Sequence, residues 1–283
     1  MRVTLPESNQ TISAAAQFGI DYAREKLAGL KLCVLTGAGM STDSGIPDYR
    51  GAGRVHQHPM TFDRFMGSFE AQQRYWARSF VGWSRIAQAK PNPGHFALAL
   101  AEKQAVVQSL ITQNVDGLHT AAGSKNVYEL HGRLDRVRCM RCGAMTSRTE
   151  IDLMLSELNP TVSKDIAVEY SPDGDAEIEA TKDFKIPTCP KCQGVLKPDV
   201  VFFGEQVESG LVEQCYAEVD AAGGLLVAGT SLAVNSGMRF VKRALKADKP
   251  VVIINLGPTK GDELALAKIE ANTSVALERL LID

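Results

Sequence analysis

The chain has 283 residues, 45% of them hydrophobic, so it can bury a substantial core as one large domain or as a domain with an added module. Its formal net charge of −2 gives no basic field that would favour nucleic acid or an anionic membrane surface as a partner. No apolar stretch approaches the ~18 residues of a membrane span, so we expect no membrane partner.

The N-terminal residues have neither the pattern of a signal peptide nor that of an Arg-rich transit peptide. Four of the six cysteines lie in CxxC pairs, which suits a reducing compartment better than a disulfide framework. We therefore predict a cytoplasmic protein, with the mitochondrial matrix as the alternative if the chain is eukaryotic.

The first predicted elements are a helix over residues 11–29 and a buried strand at 32–36, which opens into a Gly-rich loop. Such a loop brings backbone N–H groups against a pyrophosphate. It is not a dehydrogenase fingerprint, because Thr42 stands where GxGxxG needs its third glycine and the later acidic residue is missing. Polar and aromatic residues continue the loop, at Asp48, Tyr49 and Arg50. The loop is predicted to hold a dinucleotide and to act on it.

Residues 52–95 then interrupt the alternation of strands and helices and read as short helices. On one of them, Tyr75 and Arg78 lie three residues apart on one face. This pair could bind an acidic acyl group through charge-assisted hydrogen bonds. A cation–π or surface contact is the alternative interpretation.

The next buried strand, at 105–112, leads into TQNVDGLH. Gln113, Asn114 and Asp116 place two amides and a carboxylate on this loop, which suits ribose hydroxyls and a carboxamide. A plain turn is the alternative. His131 follows, where a cleft should form between two lobes, and an imidazole is the natural general base at neutral pH. His119 is the competing histidine, and its helical context favours a packing role.

Two cysteine pairs, each with the CxxC spacing, are predicted to bind one zinc ion through Cys139, Cys142, Cys189 and Cys192. The 46 residues between the pairs exceed the usual separation, but closure entropy grows only slowly with loop length. Four thiolates leave no open position for water, so the metal should be structural. Independent redox or buried cysteines are the alternative.

Three more apolar runs are interpreted as interior strands, at 199–203, 224–230 and 250–256, with helical patterns between several of them. The motifs GTSLAV and NLGP end two of these runs and could hold a nucleotide, although ordinary capping chemistry also explains them. The pattern predicts an α/β fold with a doubly wound, Rossmann-like parallel sheet, whose ligands bind at the carboxyl ends of the strands.

The predicted domain division follows from the two segments that do not alternate. Residues 1–51, 96–131 and 199–283 form the nucleotide-binding sheet domain. Residues 52–95, the helical insertion, and 132–198, the zinc-ribbon module, form a smaller second lobe.

These motifs together resemble the sirtuin family in order and spacing over residues 11–282. The segments that carry the resemblance are GAGMSTDSGIPDYRG, TQNVDGLH, LHG, the two CxxC pairs, KPDVVFFGE, GTSLAV and NLGP. Tyr49, RYWARSFVGW, PNPGH and the long insertion between the cysteine pairs are most similar to the class II branch, which includes the mitochondrial sirtuin with lipoamidase and ADP-ribosyltransferase activities.

The resemblance implies an NAD-dependent protein-lysine deacylase that acts on acylated lysine in proteins or peptides, with NAD as co-substrate and one structural Zn²⁺. Nicotinamide and O-acyl-ADP-ribose would be released with the free lysine. Weak deacetylation and a preference for longer, branched or acidic acyl groups are expected. Because a neutral imidazole is needed, activity is expected to fall below about pH 6.5.

The resemblance also implies individual residue roles. Catalysis would use His131 and Asn114. The pyrophosphate would be lined by Gly37, Ala38, Gly39 and Ser41, with Asp48, Tyr49 and Arg50 on the cofactor loop. The ribose and nicotinamide pocket would contain Gln113, Asn114, Val115 and Asp116. The adenosine half would be held by Gly229, Thr230, Ser231, Asn255, Leu256, Gly257 and Thr273. The substrate peptide would pair as an added strand with Val201, Phe202, Phe203, Gly204 and Glu205.

Three other functions remain open at this point. A protein mono-ADP-ribosyltransferase would use the same NAD site and is the main alternative. An ordinary NAD dehydrogenase is disfavoured by Thr42. A zinc-ribbon adaptor for nucleic acid would need a basic face, yet residues 150–186 are rich in Asp and Glu, so we expect no nucleic-acid partner. The oligomeric state, the physiological substrate and the preferred acyl chain are left undetermined.

Overall fold

The computed structural model of the chain describes residues 11–48, 59–164, 173 and 182–282. Tyr49 and Arg50 lie outside the described residues. The strands are β1 (Leu32–Thr36), β2 (Val107–Thr112), β3 (Val127–Glu129), β4 (Gly132–Cys139), β5 (Met145–Ser147), β6 (Leu196–Val200), β7 (Gly224–Ala228), β8 (Val251–Ile254) and β9 (Ala267–Ile269). The α-helices are α1 (Ala14–Leu27), α2 (Phe62–Gly67), α3 (Phe69–Gln88), α4 (Pro93–Lys103), α5 (Leu118–Ala121), α6 (Arg148–Leu158), α7 (Ser209–Ala221), α8 (Asn235–Lys246) and α9 (Thr273–Leu281).

Six strands form one parallel sheet in the order β3-β2-β1-β7-β8-β9. Counted within this sheet alone, the order is 3-2-1-4-5-6, that of the Rossmann fold, with its switch point between β1 and β7. Every residue of β1, β7 and β8 is buried, as expected for parallel strands covered by helices on both faces. The predicted fold class is confirmed.

One predicted strand belongs elsewhere. The run at 199–203 was expected inside the parallel sheet, but the strand there is β6, which ends at Val200 and pairs antiparallel with β4. With β5 it completes a separate three-stranded sheet in the order β5-β4-β6. Pro198 lies within β6, which is consistent with an edge strand, because proline donates no hydrogen bond to the ladder.

The small sheet packs with α3 and α6 around a core of its own. Arg148, the first residue of α6, is fully buried in this core, where its guanidinium lies 5.4 Å from the Trp76 ring and 5.1 Å from the Trp83 ring. The same guanidinium donates to the backbone carbonyl of Ser79 over 3.1 Å and pairs with Asp152 over 3.3 Å. Helix α3 is therefore attached to the segment that follows the first cysteine pair.

None of the helices within the described ranges has the length and apolar character needed to cross a bilayer.

Candidate active site

The Gly-rich loop after β1 and the loop after β7 meet at the switch point of the sheet. The Gly39 N–H donates to the carbonyl of Gly229 over 2.8 Å. Gly229 has φ of 65°, and a side chain there would place its Cβ 2.3 Å from the Met40 nitrogen. A Cβ on Gly37 would lie 2.6 Å from Cβ of Thr230. These glycines are therefore required for the close approach of the two loops, in addition to any contact with a nucleotide.

Ser41 connects the Gly-rich loop to the loop after β2. Its hydroxyl donates to Oδ2 of Asp116 over 2.6 Å and accepts a hydrogen bond from Nδ2 of Asn114 over 3.0 Å. The other oxygen of Asp116 accepts the Leu118 N–H over 2.9 Å. Burial raises the pKa of Asp116, although the hydrogen bond from Ser41 opposes that change. Three residues predicted from two separate motifs thus form one polar cluster.

Gln113 joins the β2 loop to the β7 loop. Its side-chain oxygen accepts a hydrogen bond from the Thr230 hydroxyl over 2.8 Å, and its backbone N–H donates to the carbonyl of Thr36 over 2.9 Å. Val115 contributes its carbonyl, which accepts the Leu134 N–H over 2.9 Å and so anchors the start of β4.

His131 lies in the turn between β3 and β4. Its Nδ1 is 3.0 Å from the carbonyl oxygen of Gln113, and its Nε2 is 3.0 Å from Oγ of Ser236. Burial lowers the pKa of His131, and the positive charge of Arg239 acts in the same direction. The next residue, Gly132, has φ of 78°, and a Cβ there would come within 2.0 Å of the carbonyl oxygen of Asp199. Glycine is therefore needed at the turn that positions the imidazole.

His119 has the packing role that its context suggested. Its Nε2 is 2.9 Å from the Thr36 hydroxyl, and its ring centroid is 4.7 Å from that of His95, which is also buried. Burial lowers the pKa of both residues, that of His95 to about 3. Both imidazoles are therefore neutral at physiological pH.

The residues assigned to the adenosine half lie after β7, after β8 and at the start of α9. The Asn255 amide donates to the carbonyls of Leu256 and Gly257 over 2.7 and 3.1 Å. Thr273 donates its hydroxyl to the carbonyl of Gly39 over 3.2 Å, and the carbonyl of Ser231 accepts the Lys260 N–H over 3.0 Å. A cavity of about 380 Å³ lies beside these elements, lined by Thr11, Ile12, Leu256, Glu270, Ala271, Asn272 and Val275.

Asp43, which the sequence did not single out, joins the Gly-rich loop to α9. Its two carboxylate oxygens accept hydrogen bonds from Nδ2 of Asn272 over 3.0 Å and from Oγ of Ser274 over 2.7 Å. Together with the hydroxyl of Thr273 on Gly39, these contacts attach the loop to the first turn of the last helix. No local pattern signals them, because the partners are more than 200 residues apart.

The segment predicted to pair with a peptide follows β6. The Val201 N–H donates to the His131 carbonyl over 2.9 Å, so this segment starts beside the candidate base. The Phe203 carbonyl already accepts the Phe62 N–H over 3.0 Å, and Gly204 turns the chain with φ of 82°. One oxygen of Glu205 accepts the Phe202 N–H over 2.9 Å and pairs with the buried Lys197 over 3.0 Å. The segment is thereby attached to neighbouring elements at both of its ends.

Tyr75 and Arg78 are on α3 and differ in exposure. The Tyr75 ring is buried, with centroids 5.2 Å from Phe202 and 5.5 Å from Phe65. Arg78, one turn later, is partly exposed. The Tyr75 ring thus packs against the segment proposed to hold the peptide.

The four predicted metal ligands come together in one cluster. The sulfur of Cys139 is 3.5 Å from that of Cys192, that of Cys142 is 3.8 Å from that of Cys189, and all four lie within 4.8 Å of one another. Tetrahedral Zn²⁺ with Zn–S bonds of ~2.3 Å requires sulfurs about 3.8 Å apart, so the cluster fits a structural zinc ion. A Cβ on Gly194 would lie 3.0 Å from the Cys139 sulfur, so glycine keeps this space open.

Comparison with known proteins gives consistent matches. The sequence model described as the Sir2 family matches residues 37–236. A protein named NAD-dependent protein deacetylase, from Xanthomonas campestris pv. campestris (strain 8004), is 50% identical over 251 residues, which cover 87% of this chain and 85% of the relative. One named NAD-dependent protein deacylase SIR4, from Batrachochytrium dendrobatidis, is 44% identical over 267 residues, covering 87% and 88% of the two chains.

Solved structures agree with these sequence matches. A structure described as "Sir2-p53 peptide-NAD+" superposes with a TM-score of 0.75 at 29% identity, covering 92% of this chain and 96% of that one. Another, described as "Structure of Sir2Tm bound to a propionylated peptide", has a TM-score of 0.74 at 28% identity with the same coverage.

Proposed function

The chain belongs to the Sir2 family, and from that premise we propose that it removes acyl groups from protein lysines with NAD as co-substrate, releasing nicotinamide and O-acyl-ADP-ribose. One observation carries the chemistry. A partly buried imidazole, His131, places its Nε2 next to the loops at the switch point of a Rossmann-type sheet. Dinucleotides bind at that crevice in this fold.

The features of this site fit NAD. Two loops approach each other through glycines, and a partly buried cluster of Ser41, Asn114 and Asp116 lies beside them. We assign the pyrophosphate to the Gly37–Ser41 segment, the nicotinamide and its ribose to the Gln113–Asp116 loop, and the adenosine to the residues after β7 and β8. NAD supplies the electrophilic C1′ carbon that the acyl oxygen attacks as nicotinamide leaves.

His131 acts as the base in this scheme. The carbonyl of Gln113 can only accept a hydrogen bond, so the imidazole carries its proton on Nδ1 and leaves Nε2 free to take one. The proton comes from a ribose hydroxyl, and burial keeps the imidazole neutral until then. Asn114 is the second catalytic residue in this proposal. Its amide donates to the Ser41 hydroxyl and so holds the polar cluster beside the nicotinamide ribose.

The zinc ion has a structural role in this proposal. Four cysteine ligands leave no open coordination position, and each CxxC knuckle closes by a backbone hydrogen bond, from Gly143 to Cys139 over 2.9 Å and from Gln193 to Cys189 over 2.8 Å. The ion would hold together the two ends of the zinc module and, through α6 and Arg148, the helix α3 that carries Tyr75.

The acyl preference is the finer part of the proposal. We assign the chain to the class II branch and expect longer, branched or acidic acyl groups to be removed faster than acetyl. The packing of Phe65, Tyr75 and Phe202 supports an apolar wall for a long chain, and partly exposed Arg78 could pair with an acidic end. One of the relatives is named a deacylase rather than a deacetylase.

Arg78→Met tests the acidic part of this preference. We expect turnover of succinylated or glutarylated peptides to fall about tenfold while turnover of a neutral acyl peptide of similar length is retained, because the charge-assisted hydrogen bond is lost. Exposed Arg24→Met on α1 is the matched control. Equal effects on both classes of peptide would refute the assignment.

Two further proposals concern location and organisation. We place the protein in the cytoplasm because its two CxxC motifs suit a reducing compartment. We also propose that residues 1–51, 96–131 and 199–283 act as the NAD-binding domain, while 52–95 and 132–198 form the small lobe. The two separate sheets and their separate cores support this division.

A panel of acyl-lysine peptides incubated with NAD tests the function. We expect nicotinamide and O-acyl-ADP-ribose in equal amounts, each dependent on the acylated peptide. Failure to release nicotinamide with any member of the panel would refute the proposal. Transfer of ADP-ribose to a protein acceptor, seen by mass spectrometry without loss of the acyl group, would favour the ADP-ribosyltransferase alternative, which the relatives' names do not support.

A further inference from the structure

Helix α8 places a hydroxyl group within hydrogen-bond distance of His131, the candidate base. Ser236 is the second residue of α8, and its Oγ is 3.0 Å from Nε2 of His131. Neither GTSLAV nor any other motif in the sequence pointed to this residue. We propose that Ser236 is a positioning residue for His131, which holds Nε2 as a hydrogen-bond acceptor in the NAD-free enzyme and gives up that place to a ribose hydroxyl. The proposal rests on the proposed function for the second of these steps alone.

The hydrogen bonds around the imidazole select one tautomer of the neutral ring. The Gln113 carbonyl lies 3.0 Å from Nδ1 and can only accept, so Nδ1 carries the proton. Nε2 therefore has the lone pair, and the Ser236 hydroxyl is the group that donates to it. The opposite tautomer would place two acceptors against each other at Nδ1. The ring is thus fixed from both sides in the form that a base at Nε2 needs.

The partners of His131 are themselves connected. Gly237, next to Ser236, leaves room for the Gln113 side chain, whose Nε2 would be 2.9 Å from a Cβ at that position. The Gln113 oxygen accepts the Thr230 hydroxyl over 2.8 Å. The loop after β7 and the first turn of α8 therefore orient both Gln113 and Ser236, and through them the imidazole plane.

Exchange of one hydroxyl for another explains why the contact is compatible with catalysis. A ring nitrogen that loses contact with water without gaining a hydrogen-bond partner is costly, and Ser236 supplies that partner while no ribose hydroxyl is present. When the ribose hydroxyl donates instead, the count of hydrogen bonds at Nε2 is unchanged. The imidazole then needs no rotation before it accepts the proton.

The groups around the pair have opposing effects on the pKa of His131. The N-terminal end of α8 carries a partial positive charge, and Arg239 on its next turn lowers the pKa of His131. On the opposite side, the Gln113 carbonyl accepts the hydrogen bond from Nδ1 and raises the pKa of His131. A serine hydroxyl that donates to neutral imidazole also disfavours its protonation.

Ser236→Ala is the central test, measured first without NAD. Nitrogen NMR of the zinc-loaded protein reports the tautomer of each of the five histidines, and His131→Ala identifies the signal of interest. We expect wild-type His131 to be protonated on Nδ1 alone. In Ser236→Ala we expect the proton to stay on Nδ1, because the Gln113 carbonyl still accepts it, but the imidazole pKa, followed by the same signal across pH, to rise by about 0.7 pH unit for a fivefold change in the protonation equilibrium. Ser209→Ala, the same change in the first turn of α7, is the matched control and should leave the signal unchanged.

Kinetics on an acyl-peptide substrate is the second measurement. We expect kcat of Ser236→Ala to fall about fivefold, KM for NAD to stay within about twofold, and Ser236→Thr, which keeps the hydroxyl, to recover kcat. An unchanged imidazole pKa, an equal or higher kcat, or a mass increase of one ADP-ribosyl group on Ser236 would each overturn the proposal. A wild-type enzyme without deacylase activity would refute the proposed function but not the pKa result, so the two failures are distinguishable.

Discussion

His131 is set apart from His95 and His119, the other described histidines, by its two partners and by its partial exposure. A carbonyl faces Nδ1 and a hydroxyl faces Nε2, so the neutral ring carries its proton on Nδ1 and its lone pair on Nε2. His95 and His119 are also neutral, but Nε2 of His119 is already hydrogen-bonded to the buried Thr36 hydroxyl. At this scale the chemistry depends on which nitrogen each imidazole leaves available.

His131→Ala removes the base in this scheme, and we expect turnover to fall by about 10²–10⁴-fold. The pH profile gives an independent check. A base with a lowered pKa stays neutral at more acidic pH, so the acid limb of wild-type kcat/KM should lie below the ordinary value of ~6.5, rather than at it as the sequence alone suggested. Nicotinamide release, measured across pH values for the wild type and for His131→Ala, tests both the loss of turnover and the position of the acid limb. Near-wild-type turnover of the variant would remove the assignment.

The Gly-rich loop, the last helix and the β7 loop behave as connected elements. Asp43 accepts hydrogen bonds from Asn272 and Ser274 in the first turn of α9, and Thr273 donates to Gly39. The segment from Gly37 to Ser41 is thus held from the C-terminal helix as well as from the loop after β7. A cofactor contact made by this loop should therefore respond to changes in α9.

Asp43→Ala breaks this attachment without touching the polar cluster around Ser41. Because Asp43 is exposed, we expect only a small loss of stability, about 1 kcal/mol or less, but a three- to tenfold rise in KM for NAD as the loop loses its position. Steady-state kinetics with saturating acyl-peptide measures this. Asp21→Ala, at an exposed aspartate on α1, is the control. The attachment has no role in cofactor binding if both variants keep the wild-type KM.

Across the fold as a whole, stability is coupled to pH through the buried histidine pair. The pKa of His95 is about 3 in the folded chain and ~6.5 when unfolded, and that of His119 is lowered as well. Between these two values the unfolded state binds more protons. The stabilising effect is therefore complete above pH 6.5 and is lost as pH falls from 6.5 towards 3, by about 1.4 kcal/mol per pH unit for each group.

His95→Gln should reduce this dependence. Glutamine can accept the Asn92 N–H in place of His95 Nδ1, so the capping box at the start of α4 is kept while one titrating group is removed. Urea unfolding of the zinc-loaded protein at pH 7.5, 6 and 5 measures the slope. We expect a slope shallower by one proton in the variant, and equal slopes would contradict a neutral buried His95.

Much of the sheet was predictable, and the exceptions have physical reasons. Strands β1, β2, β7 and β8 appear in the sequence as continuous apolar runs because both of their faces are covered. The edge strands β3 and β9 have three residues each and are half-buried, so they leave no such run. The run around Val200 was assigned to the wrong sheet, because apolar content indicates a strand but not its neighbours.

The local sequence was enough to identify the cysteine ligands, the Gly-rich loop, the polar loop after β2, the α/β class and the family resemblance. Each of these depends on spacing within a short segment, which chain geometry translates directly into structure. Three contacts could be identified only in the folded chain: the hydrogen bond between Ser236 and His131, the attachment of Asp43 to α9, and the hydrogen bond from Ser41 to Asp116. These contacts link residues 75 to 231 positions apart, and their formation depends on how the parallel sheet brings its loops to one edge.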